Sequence, residues 1–352
     1  MKKNSNKVNK AIIYAILAAI LYGVSTPFSK IILTEISPTF LSALLYLGAG
    51  FGMLIVKILT LNIKFQSEAK LDKKDLPYVI AMIALDILAP ILLMVGLVRA
   101  NPSTVSLLNN FEIVATAIIA LILFGEQIGG KMWLAIGLIT LSSMILSLEN
   151  IEEIKFSIGA VYVLLATISW GFENNFTRKL SVKNPIDIVI LKGIGSGFGA
   201  LLIANYLQSI NLNYIYIISA LSLGFMAYGL SIFMYIKAQR DLGAARTSAY
   251  YAVAPFIGVI FSWLLFDELI NVRFIVALII MIIGVYFNIS ENHEHEHIHN
   301  KMVHEHSHRH DDLHHNHFHD YDVVGSHSHV HEHENLVHSH SHTPDIHHKH
   351  TH

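Results

Sequence analysis

Continuous apolar runs of roughly twenty residues, separated by short polar or proline-containing breaks, recur along most of this chain. A hydrocarbon core about 30 Å thick needs roughly 20 helical residues to cross it. Ten stretches meet that requirement, at approximately 11–34, 38–61, 76–98, 102–124, 131–148, 158–180, 186–207, 214–236, 244–266 and 272–289. Barrel strands would alternate apolar and polar positions over about ten residues each, and these runs do not. The predicted fold class is all-α, a polytopic membrane protein of ten transmembrane helices. The basic start, Lys2, Lys3, Lys7 and Lys10, imitates a signal peptide, but the apolar run behind it continues past Leu33 and its motif returns later. It reads as a retained first span.

Lys and Arg in short loops orient the spans. With ten crossings both termini share one side, together with Lys64, Lys70, Lys73, Lys74, Lys131, Lys179, Lys183, Lys237 and Arg240, whereas the opposite loops hold chiefly Arg99, Lys155 and Arg273. The expected location is the cell membrane, multi-pass, with both termini cytoplasmic.

Composition then divides the chain in two. Over half of its 352 residues are apolar and only 14% are charged, below the level of a soluble protein. Residues 1–290 carry a formal charge of +6 and the remainder −8, and all 23 histidines fall in the remainder. No core-packing demand produces that partition. Cysteine is absent, which removes disulfides and thiolate metal ligands from consideration.

Two internal matches point to duplication. Tyr22-Gly23, Phe28 and Lys30 recur as Trp170-Gly171, Phe176 and Arg178, and Phe124-Gly125-Glu126 recurs as Phe266-Asp267-Glu268. Five spans separate each pair. Five is odd, so the second half enters the membrane from the opposite face, giving 5+5 inverted repeats of the kind that place a transport site near the midplane. The expected divisions are an N-terminal segment 1–10, a first five-helix repeat 11–148, a second 158–289 and a tail 290–352.

At these residues the chain resembles the EamA family of the drug/metabolite transporter superfamily. The likeness covers residues 11–289 and is carried by Tyr22-Gly23, Trp170-Gly171, Glu126, Glu268, the run Gly243-Ala244-Ala245-Arg246-Thr247, and Ala254-Pro255. It implies a ten-span, five-plus-five inverted repeat. The stretch from Trp170 to Ser181 and the closing Pro344 to His350 further resemble a prokaryotic subgroup with His-rich tails. One departure is Ile113, which aligns with Pro255 where a proline is frequent in both halves, and this leaves a kink in span four in doubt.

Charges inside hydrocarbon cost about 3 kcal/mol each by insertion scales unless paired or facing water, which makes them pointers to function. At 1.5 Å per residue, Asp86 and Glu112 each lie about ten residues into their spans, near the bilayer centre. Two carboxylates at one depth on successive antiparallel helices suit proton coupling or cation capture. The plainer reading is that Asn109, Asn110 and nearby hydroxyls merely satisfy them. Glu173 and Lys192 match in depth across the hairpin of spans six and seven, and form either a structural or a coupling pair. Asn174 and Asn175 beside them require that this face of span six look into protein or a water-filled cavity. Trp170, Tyr228, Tyr250 and Tyr251 serve as packing or as stacking surfaces, with Tyr250 and Tyr251 favoured for their nearness to Arg246. Arg178 completes the candidate set. Gly193, Gly195, Gly197 and Gly199 are explained by close helix packing.

The tail is acidic, low in complexity and rich in H-x-H runs, and is expected to be disordered without ligand. Its candidate metal ligands are His293, His295, His297, His299, His304, His306, His308, His310, His327, His329, His331, His333, His338, His340, His342, His347, His348 and His350. Neutral imidazole suits Zn, Ni, Co or Cu(II), and neighbouring carboxylates add oxygen ligands. A competing reading is a pH sensor, because imidazole titrates near pH 6.5.

No Walker loop is present, so transport would be driven by a gradient, and nothing suggests an enzyme or a nucleic-acid surface. The leading expectation is a secondary exporter or exchanger of a small polar metabolite, acting as monomer or homodimer in the lipid bilayer, with transition metal at the tail and no cofactor in the membrane part. The alternatives are a divalent-metal (Ni, Co, Zn) efflux transporter, and a membrane-anchored metal sensor or store.

Overall fold

The computed structural model describes residues 2–60, 71–124, 128–150, 155–180, 183–207, 210–242, 247, 250–268 and 270–290, and four tail segments, 293–299, 302–308, 327–333 and 336–342. Helical spans follow one another through the first 290 residues. Span one is Lys2–Gly23 continued by Ser25–Ile32, span two Pro38–Leu59, span three Leu76–Arg99, span four Pro102–Leu108 continued by Phe111–Phe124, and span five Gly130–Ser147. Span six is Ile158–Leu180, span seven Pro185–Tyr206, span eight Tyr214–Gly224 with a π-helical turn Phe225–Leu230 and then Ser231–Leu242, span nine Ala254–Phe266, and span ten Val272–Ile289. Tyr250 and Tyr251 are also helical, ahead of the described part of span nine. Eight of these segments are long and apolar enough to cross a membrane. Span six is long enough at 23 residues but carries charges, and the described part of span nine has 13 residues.

The outer surface of the bundle is apolar. Ile122, Leu202, Ile215 and Val272 are each more than 70% exposed. Such side chains match lipid and would be an aggregation hazard in water.

Both halves start their second helix with the same device. Ser37 accepts from the Phe40 amide with Pro38 in the first turn, and Asn184 accepts from the Ile186 amide with Pro185 in the first turn. A capping oxygen meets an amide the helix cannot use, and proline occupies a position that needs no donor. Span ten is capped likewise, by Asn271 on the Phe274 amide at 2.8 Å. Span nine closes on Asp267 with φ 46°, a left-handed end.

Packing runs across the two halves: span two lies on span seven, three on six, one on eight, four on nine and five on ten. The approach is close enough to require glycine. A Cβ on Gly48 would sit 2.1 Å from the Leu221 carbonyl oxygen, and one on Gly224 would sit 2.0 Å from that of Leu45, so spans two and eight meet backbone to backbone. On span seven, Gly193 and Gly197 admit span two, while Gly195 and Gly199 admit Ile83 and Ile87 of span three.

Span four is broken, which settles the kink that its missing proline left open. Its two helices are parted by a turn at Asn109-Asn110, where the amides of Asn110, Glu112 and Ile113 bond three residues back instead of four. Proline is therefore unnecessary for the break, which falls at two asparagines whose Asn109 Oδ1 and Asn110 Nδ2 are buried without a hydrogen-bond partner. Span nine carries the corresponding turn at Ala252-Val253, ahead of Pro255.

The halves are joined through two short antiparallel strands, Leu148–Asn150 and Lys155–Phe156. In the tail, His293–His299 pairs antiparallel with Leu336–His342, and Met302–His308 with His327–His333. The registers set histidine opposite histidine: His293 with His342, His295 with His340, His297 with His338, His304 with His331, His306 with His329 and His308 with His327. Isolated two-stranded ladders of polar sequence are marginal in water. His310, His347, His348 and His350 lie outside the described residues.

Candidate functional site

Spans two, three, six and seven bring an ionic cluster to the interior. Asp86 of span three is fully buried; its Oδ1 accepts from the Tyr46 hydroxyl at 2.9 Å, and its Oδ2 lies 3.0 Å from Lys192 Nζ. The same Nζ lies 3.0 Å from Glu173 Oε1 of span six. Thr177, one turn on, donates to Glu173. One ammonium thus sits between carboxylates from opposite halves. A buried charge tolerates its surroundings only with such partners.

A second carboxylate group stands on the broken span. Glu112 opens the second helix of span four, and its Oε1 accepts from Asn174 Nδ2 at 2.7 Å. Asn174 also reaches Thr116 Oγ1 at 3.3 Å, and Asn175 donates to the carbonyls of Thr116 at 3.1 Å and Gly171 at 2.8 Å. A Cβ on Gly171 would press on Ala115 and Thr116, so the absence of a side chain there is what lets spans four and six come within reach of these amides.

Tyrosines line the space beside these groups. Tyr22 is 5.8 Å from both Tyr228 and Tyr251, Tyr46 is 5.5 Å from Tyr228, and Tyr235 is 4.9 Å from Tyr251, measured between ring centroids. Tyr228 lies on the π-helical turn of span eight, a local unwinding that recurs at functional sites. Where the breaks of spans one and four meet span nine, a small crevice is lined by Tyr22, Gly23, Thr26, Ser106, Asn109, Ala254 and Pro255. Ser106 Oγ and Asn109 Oδ1 are buried there without a hydrogen-bond partner, as is Asn110 Nδ2 nearby. Interrupted helices beside an ionic pair are how transporters expose polar backbone at membrane depth.

On the side away from the termini, Glu268 follows span nine and accepts from the amide of Ser103 at 3.3 Å and from its hydroxyl. Lys30 donates to the carbonyls of Leu97, Val98 and Ala100, and Arg273 to that of Leu148. Ser103, Glu268 and Arg273 border a pocket that also includes Asn101, Trp263 and Asn271.

The residues singled out from sequence are distributed as follows. Asp86, Glu173 and Lys192 converge, and Glu112 with Asn174 and Asn175 stands beside them. Asp86 and Glu112, expected to act on one another as a pair of equals, instead have separate hydrogen-bond partners, because Lys192 and Tyr46 take up Asp86. Asn109 and Asn110 do not serve the carboxylates; they form the break in span four. Trp170 is buried in helix packing, Tyr251 joins the ring cluster, and Tyr250 is half-buried. Arg178 lies on span six with its side chain outside the described residues, and Arg246 lies outside them altogether. Sequence reasoning missed Tyr46, Tyr22, Thr116 and Ser106 as site residues. The available signal was a polar group at mid-depth in an otherwise apolar or small-residue helix.

The EamA-like transporter family model matches this chain twice, over residues 9–148 and 157–290. An uncharacterized transporter of Methanothermobacter thermautotrophicus strain Delta H is 26% identical over 289 residues, covering 77% of this chain and 83% of that protein. A solved crystal structure shares the fold with a TM-score of 0.59 at 12% identity, covering 79% of this chain and 94% of its own. With two matches that together take in nearly all of its membrane-spanning length, this multi-pass chain belongs to the EamA-like transporter family.

Proposed function

We propose that this protein is a gradient-driven secondary transporter that exports or exchanges a small polar metabolite by alternating access, with both termini in the cytoplasm. The observation that carries the reading is the buried set Asp86, Lys192, Glu173 and Glu112, held between opposite halves of an inverted repeat. Among the described residues, three carboxylates against one ammonium leave negative charge that a proton or a ligand balances, and Glu112, held by a neutral amide, is the group best placed to exchange one for the other. Glu268 on Ser103 and Lys30 on the end of span three close the side away from the termini. The tail binds transition metal through its paired histidines and serves the membrane part from the cytoplasm without lying on the transport path. The first 290 residues contain neither histidine nor cysteine, which favours an organic solute over Ni, Co or Zn as cargo.

The test is efflux from proteoliposomes loaded with a labelled mixture of small metabolites under an imposed pH gradient. Solutes leave vesicles holding the wild-type chain and are retained in empty vesicles and in vesicles holding Glu112→Gln. Glutamine preserves the acceptor for Asn174, so the folded yield stays the same. Equal efflux from the variant would remove Glu112 from the mechanism.

A further inference from the structure

Three helix interruptions meet at one crevice. Span one breaks at Val24, span four at Asn109-Asn110 and span nine at Ala252-Val253, and Gly23, Ser106, Asn109 and Ala254 are among the residues that line the space between them. The oxygens on its border are short of donors. The Gly23 carbonyl has no helical donor four residues on, because Pro27 carries no N–H. Ser106 and Asn109 are 1% and 7% exposed, and Ser106 Oγ and Asn109 Oδ1 are buried with no hydrogen-bond partner. Buried polar atoms are nearly always satisfied by protein, water or an ion, so two such oxygens on one crevice point to a guest.

Span nine brings these oxygens together by omitting a side chain. A Cβ on Gly258 would sit 2.6 Å from Ser106 Oγ and 2.9 Å from the Gly23 carbonyl oxygen, so both converge on one backbone position of the opposite half. Carbonyl and amide oxygens only accept, and one hydroxyl proton cannot serve them all. The unpartnered Asn110 Nδ2 belongs to a residue that does not line the crevice. A cation engages every oxygen at once. Neutral oxygens suit a hard monovalent ion, whereas transition metals prefer imidazole or thiolate, and calcium and magnesium draw on carboxylates. Unwound carbonyls beside discontinuous helices are also how transporters hold sodium near the midplane.

We propose that this crevice binds a sodium ion through Ser106 Oγ, Asn109 Oδ1 and the Gly23 carbonyl oxygen. The ion ties the interrupted spans one and four of the first half to span nine of the second, across Gly258. A single methyl on Gly258 would press on two of the three ligands, and so tight a place favours sodium over the larger potassium. The site shares no residue with the Asp86, Lys192 and Glu173 cluster or with Glu112 and Asn174, so it goes beyond the transport reading and does not depend on it.

The test is thermal unfolding of the purified full-length protein in detergent, with sodium, potassium or choline chloride at constant ionic strength. Sodium raises the melting midpoint saturably, by about 5 °C at a concentration roughly a hundredfold above its dissociation constant, and potassium and choline raise it far less. Ser106→Ala deletes a hydroxyl that has no partner, so in choline it melts no lower than wild type, while its sodium dissociation constant rises roughly tenfold or more. Gly258→Ala crowds the same oxygens and also loses the sodium response; if it fails to fold, Ser106→Ala decides. An equal effect of choline reduces the response to ionic strength, and an equal effect of potassium removes the selectivity; either overturns the proposal. So does a sodium response left intact in Ser106→Ala, which places the ion elsewhere, and so does a wild-type midpoint indifferent to sodium, which leaves water as the guest. Melting requires no flux, so each of these results stands whether or not Glu112-dependent efflux is found.

Discussion

Lys192→Met removes the only ammonium between Asp86 and Glu173. At 3.0 Å and an effective dielectric constant of about 20, each contact contributes about 5.5 kcal/mol of Coulomb attraction. Desolvation of three buried ions offsets most of that, at several kcal/mol per ion. What remains on deletion is the cost of stranding charge: about 3–5 kcal/mol for breaking a buried pair, with the upper end expected because two carboxylates lose the same partner. A change of about 4 kcal/mol lowers the folded-to-unfolded ratio by roughly a thousandfold. Equilibrium unfolding of the detergent-solubilised protein in a graded denaturing detergent reads this directly. Adding Asp86→Asn and Glu173→Gln to Lys192→Met removes the stranded charges and recovers most of the loss, because the residual amides bond to Tyr46 and Thr177. A Lys192→Met protein as stable as wild type, or a triple variant no better than the single one, would refute the shared-ammonium description.

Other expectations test separate parts of the molecule. Gly48→Ala places a methyl 2.1 Å from the Leu221 carbonyl and costs about 1–3 kcal/mol by forcing spans two and eight apart, whereas Gly137→Ala, with nothing within 4 Å, gains up to about 1 kcal/mol; both are read from melting in detergent. Glu268→Ala loses charge-assisted bonds worth about 1.5–3 kcal/mol, so a cysteine placed at Ser106 in this cysteine-free chain reacts at least tenfold faster with an impermeant maleimide from the side away from the termini. Zinc binding by the tail weakens as pH falls through about 6.5, since protons and metal compete for imidazole, and removal of residues 291–352 abolishes it without changing solute flux; titration calorimetry and efflux measure the two.

Crossing number and span positions were legible because a bilayer imposes one length and one solvent on every helix. The Glu173–Lys192 pair was legible for the same reason: depth along two successive helices can be counted from their shared loop. Depth says nothing of azimuth, however, and nothing of which distant helices touch. Asp86 therefore looked like a partner for Glu112, its neighbour in sequence order, when its cation came from span seven in the other half. Tyr46 was invisible as a site residue because one tyrosine in an apolar span reads as packing. The break in span four was left open in the sequence because its proline is missing, and the Asn109-Asn110 pair that stands at the turn was read only as a source of partners for the carboxylates.

The polar contacts divide into those made within a half and those made between halves, and the division has mechanical content. Tyr46 with Asp86, and Glu173 with Lys192, join residues of the same half. Asp86 with Lys192, Glu112 with Asn174, Ser103 with Glu268, Lys57 with Asp187 and Asp75 with Lys183 join opposite halves. Motion of one half against the other strains the second set and spares the first. Lys192 belongs to both sets: separation leaves it with Glu173 and leaves Asp86 with a phenol and no cation. Under the alternating access proposed above, that condition favours a proton on Asp86, so its protonation and the relative position of the halves are linked through one side chain. Cost flows in both directions along such a link, because whatever neutralises Asp86 also lowers the penalty for moving Lys192 away from it.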